Sequence, residues 1–365
     1  MASRPADVTV SSPTEAPIRP ETVSHYATDV IETVHGLRDR FPLTCRIQLP
    51  GLDIAVHLQD GVLARAINEN LVAARARESR TTHLEIFIAH PGIEGVMPPA
   101  AWNDELPYLP HAIGMRLERD GLRASYFHDL DHWHLLNMRS GIGVELMRGP
   151  KAYPPWEAGA PLRPFLHWHY AATGRRLAHC GTLGHHGTGV LFAGAGGAGK
   201  SGTVVAGLLN GLESAGDDYV LLDADDGGTV TASPIFSVLK QDQAGYGRLG
   251  LADRLPSPGA LNWQGKYEFH ISDLCAAGPA EKLRIKALLV PKISHEKRSW
   301  IEPVSRRAAM LALAPSAIHQ MPGERESGFR FFSRITQALP CHVLHVGTEP
   351  REVADTVAAF LETQA

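Results

Sequence analysis

A glycine-rich stretch, GAGGAGKSGT at residues 194–203, leaves this chain few local structures to adopt. It matches the spacing G-x-x-x-x-G-K-[ST] of a phosphate-binding loop, in which backbone N–H groups surround a polyphosphate. The fixed positions of the motif are Gly194, Gly199, Lys200 and Ser201. An ordinary glycine-rich turn between a strand and a helix is the alternative interpretation.

Both flanks of this stretch fit the order of strand, loop and helix that the motif requires. Residues 189–193 (GVLFA) are an apolar run typical of a buried strand, and residues 204–209 (VVAGLL) favour a helix packed on it. Glycines let the backbone approach phosphates, and the helix N-terminus together with Lys200 favours an anion. We therefore predict nucleotide binding, with Ser201 as a Mg²⁺ ligand, by Gly194, Gly196, Gly197, Ala198, Gly199, Lys200, Ser201, Gly202 and Thr203.

Composition restricts the classes of partner. The 365 residues carry a formal net charge of -4 at pH 7 and contain no block of lysine or arginine, which argues against a nucleic-acid partner. The four cysteines are widely spaced, as expected for reduced thiols. Because no apolar run approaches the length of a membrane span and the first residues lack a signal-peptide core, we predict a cytoplasmic protein without a membrane partner.

Changes in sequence pattern predict four parts. Residues 1–24, rich in Pro, Ser and Thr, are predicted to be disordered. Residues 25–155 alternate short apolar runs with turn residues, which predicts a β-rich domain for substrate or partner binding, with one helix at about 63–79. The proline-rich segment 156–164 is predicted as a linker, and residues 165–365 as an α/β nucleotide-binding domain. In that domain we predict strands at 217–224, 284–293 and 341–347, and helices near 305–319, 329–339 and 350–363.

Two adjacent carboxylates, Asp217 and Asp218, stand at the start of the strand that follows the helix of the loop. Like charges at the mouth of an apolar strand repel each other unless a cation or a shared proton offsets the repulsion, and Mg²⁺ on a nucleotide would do so. We predict that one aspartate accepts a hydroxyl proton and that the other holds Mg²⁺, without assigning which. An acidic turn before a strand is the alternative.

The loop GAGGAGKS, the acid pair, and His179 at its characteristic distance before the first loop glycine together resemble the HPr kinase/phosphorylase family. That group includes HPr-kinase-like serine kinases and is related to phosphoenolpyruvate carboxykinase. The resemblance covers about residues 165–365. It implies an α/β fold in which a P-loop nucleotide-binding domain of the carboxykinase-like kind follows a smaller, β-rich N-terminal domain.

The same resemblance implies an activity. It suggests an ATP- and Mg²⁺-dependent kinase that phosphorylates a serine of a protein or peptide, in which Asp217, Asp218, His179 and Lys200 are catalytic. His179 would hydrogen-bond a phosphate or a carboxylate. Stand-alone relatives occur beside peptide-maturation genes and phosphorylate precursor peptides, and founding members form oligomers, so a homo-oligomer is one expectation.

The sequence departs from the founding enzyme at two places. Gly202 follows the loop serine where HPr kinase tends to carry glutamate, and the downstream signature EIRGLG of the bifunctional enzymes is absent. The resemblance therefore implies a kinase of this group and puts HPr as the substrate, and phosphorylase activity, in doubt. A small-molecule kinase or carboxykinase-like enzyme is the alternative, and a non-enzymatic nucleotide-gated regulator ranks third.

Two further features receive weaker interpretations. Lys240 and Lys266 follow the aspartates and could reach a substrate or the γ-phosphate, although lysines are usually solvated. The stretch HDLDHWHLLN, residues 128–137, superficially resembles a metal cluster through His128, Asp129, Asp131, His132 and His134. In a strand His132 and His134 share a face while His128 lies beyond a turn, so we predict a β-hairpin with exposed histidines rather than a metal site.

Overall fold

The computed structural model describes residues 17–73, 82–103, 105, 111–318 and 325–364. Within these residues the protein is a mixed α/β structure with two large mixed sheets and a two-stranded ribbon. No helix in the described part of the chain has both the length and the apolar character needed to cross a bilayer.

The first sheet belongs to the N-terminal half and has six strands in the order β1, β2, β3, β6, β5, β4. Its two central pairings, of β2 with β3 and of β3 with β6, are parallel, and the other pairings are antiparallel. Strands β2 and β3 are the most uniformly apolar, because both of their faces are covered. The strands are β1 (Leu43–Leu49), β2 (Leu52–Leu58), β3 (Leu84–Ala89), β4 (Leu122–Phe127), β5 (His132–Asn137) and β6 (Ile142–Leu146).

Three helices accompany this sheet, whereas the sequence pattern predicted one. They are α1 (Val23–Gly36), α2 (Gly61–Asn70) and α3 (His111–Arg119). Helix α3 lies in a stretch predicted to be β-rich, and it is helical because Ile113 and Leu117, four positions apart, bury one helical face. Helix α2 is shorter than predicted, since Leu71 is extended and forms a β-bridge with Phe236; residues 74–79 of that prediction lie outside the described residues.

The segment predicted to be disordered, residues 1–24, is described from residue 17 onward. Ile18 forms a parallel β-bridge with Trp102, and α1 starts at Val23. Residues 17–24 are therefore placed in the fold, and residues 1–16 lie outside the described residues.

The second sheet belongs to the C-terminal half and has strands β7–β11 and β14–β16, while β12 and β13 form the ribbon. The predicted helices near 305–319, 329–339 and 350–363 and the predicted strands are all present. The elements are α4 (Arg163–Ala172), β7 (Arg176–Ala178), β8 (Gly181–His185), β9 (Thr188–Phe192), α5 (Lys200–Leu209), β10 (Val220–Ala224), β11 (Val230–Pro234), β12 (Val238–Asp242), α6 (Gln243–Arg248), β13 (Lys266–His270), α7 (Ile271–Leu274), β14 (Leu283–Ile293), β15 (Trp300–Pro303), α8 (Arg306–Ile318), α9 (Arg325–Ala338), β16 (Cys341–Val346) and α10 (Pro350–Thr363).

One hydrophobic core joins the two halves. Helix α4 contributes Phe165, Leu166, Trp168 and Tyr170 to a cluster that also includes residues of β1–β3 and of β7 and β10. Ala160 and Leu162, within the predicted linker 156–164, are buried in the same cluster. Because these apolar side chains gain from burial, the proline-rich segment packs between the halves and does not extend as a free linker.

Candidate functional site

The glycine-rich loop, residues 193–199, connects the end of β9 to the start of α5. Gly197 and Gly199 have φ angles of 80° and 103°, which an L side chain rarely adopts. A Cβ on Gly196 or Gly197 would meet nothing within 4 Å, so the outer side of the loop is open. A Cβ on Gly199 would lie 3.6 Å from both Ile293 and Val346, at the ends of β14 and β16. The loop therefore stands where three parallel strands end.

Lys200 and Ser201 begin helix α5 and point their polar atoms to different partners. The Lys200 ammonium donates hydrogen bonds to the carbonyl oxygens of Gly194 and Ala195, at 2.7 and 3.2 Å. The side chain of Ser201 lies close enough to the carboxylate of Asp217 to lower the pKa of that group. The first residues of α5 thus hold a cation against the loop backbone and a hydroxyl against the acid pair.

The register of two antiparallel strands brings His179 to the acid pair. Ala178, at the end of β7, pairs with Val220, at the start of β10. His179 follows its strand and Asp218 precedes the other, so both lie at the same end of the sheet. His179 Nε2 is 2.7 Å from Asp218 Oδ1. The resemblance implied that His179 lies beside the acid pair, and the structure places it there.

Asp217 is the more deeply buried of the two aspartates, with 4 % of its surface exposed. Burial raises its pKa to about 6, although the nearby Ser201 side chain acts to lower it. Its Oδ1 atom has no hydrogen-bond partner, although a Cβ on Gly181 would lie only 3.3 Å from it. A buried carboxylate oxygen without a donor is a suitable ligand for a cation.

Asp218 has a different environment. Burial would raise its pKa, but the hydrogen bond and charge of His179 and the charge of Lys240 lower it well below the usual value. Lys240 Nζ lies 3.3 Å from Asp218 Oδ2. The Asp218 side chain is 29 % exposed, so an ionised carboxylate faces an accessible space. The two adjacent acids are therefore electrostatically distinct.

Three residues that the sequence analysis did not select form a series of contacts that begins next to His179. Tyr219 lies next to His179, with ring centroids 5.3 Å apart, and its hydroxyl accepts a hydrogen bond of 2.8 Å from Arg163. Arg163 also pairs with Glu157 at 3.3 Å. Glu157 is fully buried, and burial raises its pKa above the usual value despite the Arg163 charge. Tyr219 could have been suspected because it follows the acid pair, whereas Arg163 and Glu157 carried no sequence signal.

Lys240 and Lys266, the two lysines that could reach a substrate or the γ-phosphate, have different positions in the structure. Lys240 reaches the acid pair from β12, as described above. Lys266 starts β13 and pairs in register with Asp242, two positions farther along β12. Among the contacts of the described residues, none brings Lys266 to the aspartates, so only Lys240 joins the group.

The histidines of residues 128–137 do not match their prediction. A hairpin of β4 and β5 is present, and His128 lies outside it on a turn with an exposed side chain. His132 and His134, however, are completely buried rather than exposed. They face inward because β5 is an interior strand between β4 and β6, covered on this face by α4. Asp131 accepts hydrogen bonds from Tyr126 and Arg148.

Comparison of the sequence with protein-family models finds no match, and comparison with curated proteins also finds none.

Proposed function

We propose that this chain is an ATP- and Mg²⁺-dependent serine kinase of the HPr-kinase-like type, acting in the cytoplasm on a protein or precursor peptide. Its C-terminal half would then be a P-loop domain of the carboxykinase-like kind. The observation that supports the proposal best is the convergence of Ser201, Asp217 and Asp218 at the end of the glycine-rich loop. A loop with a lysine alone would support only nucleotide binding.

The residues at the loop fit a polyphosphate with its metal. The open outer side of the glycines leaves room for phosphate oxygens, and the start of α5 offers unpaired backbone N–H groups. Lys200 would exchange its loop carbonyls for phosphate oxygens. Ser201 and the unpartnered Oδ1 of Asp217 would hold Mg²⁺, which when bound neutralises phosphate charge.

Asp218 is suited to accept the proton of the attacking hydroxyl, the second role predicted for the acid pair. Its ionised carboxylate, held by His179 and Lys240, faces the accessible side of the site. In the proposed reaction the serine oxygen forms a bond to the γ-phosphorus while the bond to the ADP oxygen breaks. The serine proton passes to Asp218. Because phosphoryl transfer depends mainly on positioning and charge, a carboxylate with a low pKa is adequate for this step.

The test begins with a pool of synthetic serine-containing peptides and γ-labelled ATP with Mg²⁺. We expect labelled phosphoserine, identified by mass spectrometry, and no label in peptides in which alanine replaces serine. Label appearing only in small hydroxyl compounds such as free serine or glycerol would favour the small-molecule kinase. Thermal stabilisation by Mg·ATP without transfer to either class would favour the nucleotide-gated regulator.

Two variants make the test specific for the acid pair. Asp218→Asn should abolish most of the labelling while keeping Mg·ATP-induced stabilisation. Asp226→Asn is the matched control, because Asp226 is an exposed acid on the turn after β10. Equal labelling by both variants would contradict the role of Asp218.

A further inference from the structure

Three buried side chains of the first sheet form a group that the proposed kinase reaction does not use. They are His132, His134 and Glu145, here called the His-Glu cluster. Glu145 on β6 is in register with His134 on β5, and His132 is two positions along the same strand. Residues two apart share a face and registered residues stand side by side, so all three side chains project into one space.

The polar atoms of the cluster are close together but do not hydrogen-bond. Glu145 Oε1 lies 3.1 Å from His132 Nε2 and 3.7 Å from His134 Nε2. The two imidazole rings stack with centroids 4.7 Å apart. Nevertheless, both ring nitrogens of each histidine and both oxygens of Glu145 lack a hydrogen-bond partner. All three residues are completely buried.

Burying these three side chains without hydrogen bonds destabilises the folded protein unless they share a cation. Each buried polar atom without a partner destabilises the folded state, and a buried carboxylate does so more strongly. A proton shared between Glu145 and one histidine would leave the other histidine unsatisfied. One ion between the three side chains would satisfy both histidines and the carboxylate together. Two ligand atoms that are each about 2.1 Å from one ion lie about 3–3.5 Å apart in a tetrahedral site. The two histidine–glutamate separations are close to this value, and one candidate ligand atom from each of the three side chains lies within 4.8 Å of the other two.

We propose that the His-Glu cluster binds a divalent transition-metal ion, with Zn²⁺ as the best fit. Two imidazoles and one carboxylate are a ligand set that suits zinc and its first-row neighbours. Mg²⁺ and Ca²⁺ prefer oxygen ligands and do not suit two imidazole nitrogens. The proposal is independent of the kinase activity, because it concerns a different set of residues.

The position of the cluster suggests what the metal does. The ring of Phe165, on α4, lies 5.5 Å from the ring of His134, and a Cβ on Gly143 would meet Phe165 at 2.8 Å. Helix α4 therefore covers the cluster closely. Two residues earlier, Arg163 donates to Tyr219 beside the acid pair. A metal in the cluster would fix the start of α4 on the first sheet.

The decisive measurement is the metal content of the folded, full-length protein. After incubation with Zn²⁺ and removal of free metal by gel filtration, we expect about one zinc per chain. Replacing Zn²⁺ by Co²⁺ should give the visible absorption of cobalt bound by nitrogen and oxygen ligands. Folded wild-type protein that retains less than about one tenth of an equivalent would overturn the proposal.

Variants separate this site from adventitious zinc. Glu145→Gln keeps the volume of the side chain and His134→Asn removes one ligand, so each should reduce bound zinc at least tenfold and abolish the cobalt spectrum. His167→Asn is the matched control, since His167 is also buried with both ring nitrogens unpartnered but lies outside the cluster. It should retain zinc. Full zinc in Glu145→Gln would mean surface binding only and would also overturn the proposal.

Discussion

Replacing Asp217 by asparagine should make the folded protein less sensitive to pH. The pKa of this buried carboxyl rises from an ordinary value of 3.8 to about 6. A group whose folded-state pKa is raised contributes stability that is fully present below its unfolded pKa and is lost as pH rises through the folded pKa. At 1.36 kcal/mol per pKa unit, ionising Asp217 in the folded, metal-free protein costs about 3 kcal/mol.

Asparagine at position 217 does not ionise, so the variant does not lose this free energy of unfolding as the pH rises. Urea unfolding of both proteins, without added nucleotide or Mg²⁺, should show the variant gaining about 2.4 kcal/mol relative to wild type between pH 4 and pH 8, because a small part of the effect is already present at pH 4. Comparing the pH dependence removes any constant cost of the new amide group. Asp226→Asn should follow the wild-type curve, because Asp226 is exposed. A difference that stays constant within about 0.5 kcal/mol over this range would refute the reasoning about burial.

Three further predictions address the loop, the second aspartate and the shared core. Lys200→Ala should remove the stabilisation by Mg·ATP, about 2.7 kcal/mol at a hundredfold excess over Kd in wild type; an unchanged melting shift would exclude the loop as the binding site. Asp218→Asn should lower transfer from labelled ATP by about 100-fold or more and act non-additively with Asp217→Asn; near-normal turnover would reduce the pair to an acidic turn. Leu166→Ala should lower the free energy of unfolding by about 2–5 kcal/mol, and a urea titration should show both halves unfolding in one transition. Two separate transitions would contradict a common core.

Local signals were sufficient to predict several helices and strands of the C-terminal half. The last helix begins at Pro350 and ends at Thr363 as predicted, because proline suits the first helical turn and the apolar spacing continues to Leu361. The strand, loop and helix around Lys200 were predicted because glycine spacing and flanking apolar runs act within about twenty residues. In these segments the nearest neighbours in sequence also determine the structure.

Contacts between distant residues explain what the sequence did not reveal. The histidines at 132 and 134 were predicted to be exposed, because nothing nearby in sequence indicates that β5 lies inside a sheet beneath α4. Their partner Glu145 is registered by strand pairing, and Phe165 comes from another element. Burial of a polar strand face is decided by what packs on it, which a strand pattern alone cannot show.

The division of labour within the acid pair illustrates the same limit. Asp217 and Asp218 are adjacent and chemically identical, so their order in sequence could not assign their roles. In the fold, Ser201 and burial act on Asp217, while His179 and Lys240 act on Asp218. Environments that push two pKa values apart separate the functions of two carboxyl groups. The proposed roles therefore follow from neighbours in three separate parts of the chain, at α5, after β7 and on β12.

Helix α4 gives the two candidate sites a common support. Phe165 packs against His134 of the His-Glu cluster, and Arg163 holds Tyr219 beside His179 and Asp218. Only one residue separates Arg163 from Phe165, which is less than one helical turn. A change that moves the start of α4 on the first sheet must therefore also move Tyr219, which lies beside His179 and Asp218. The N-terminal half is then part of the candidate active site's framework, in addition to its predicted role in substrate or partner binding.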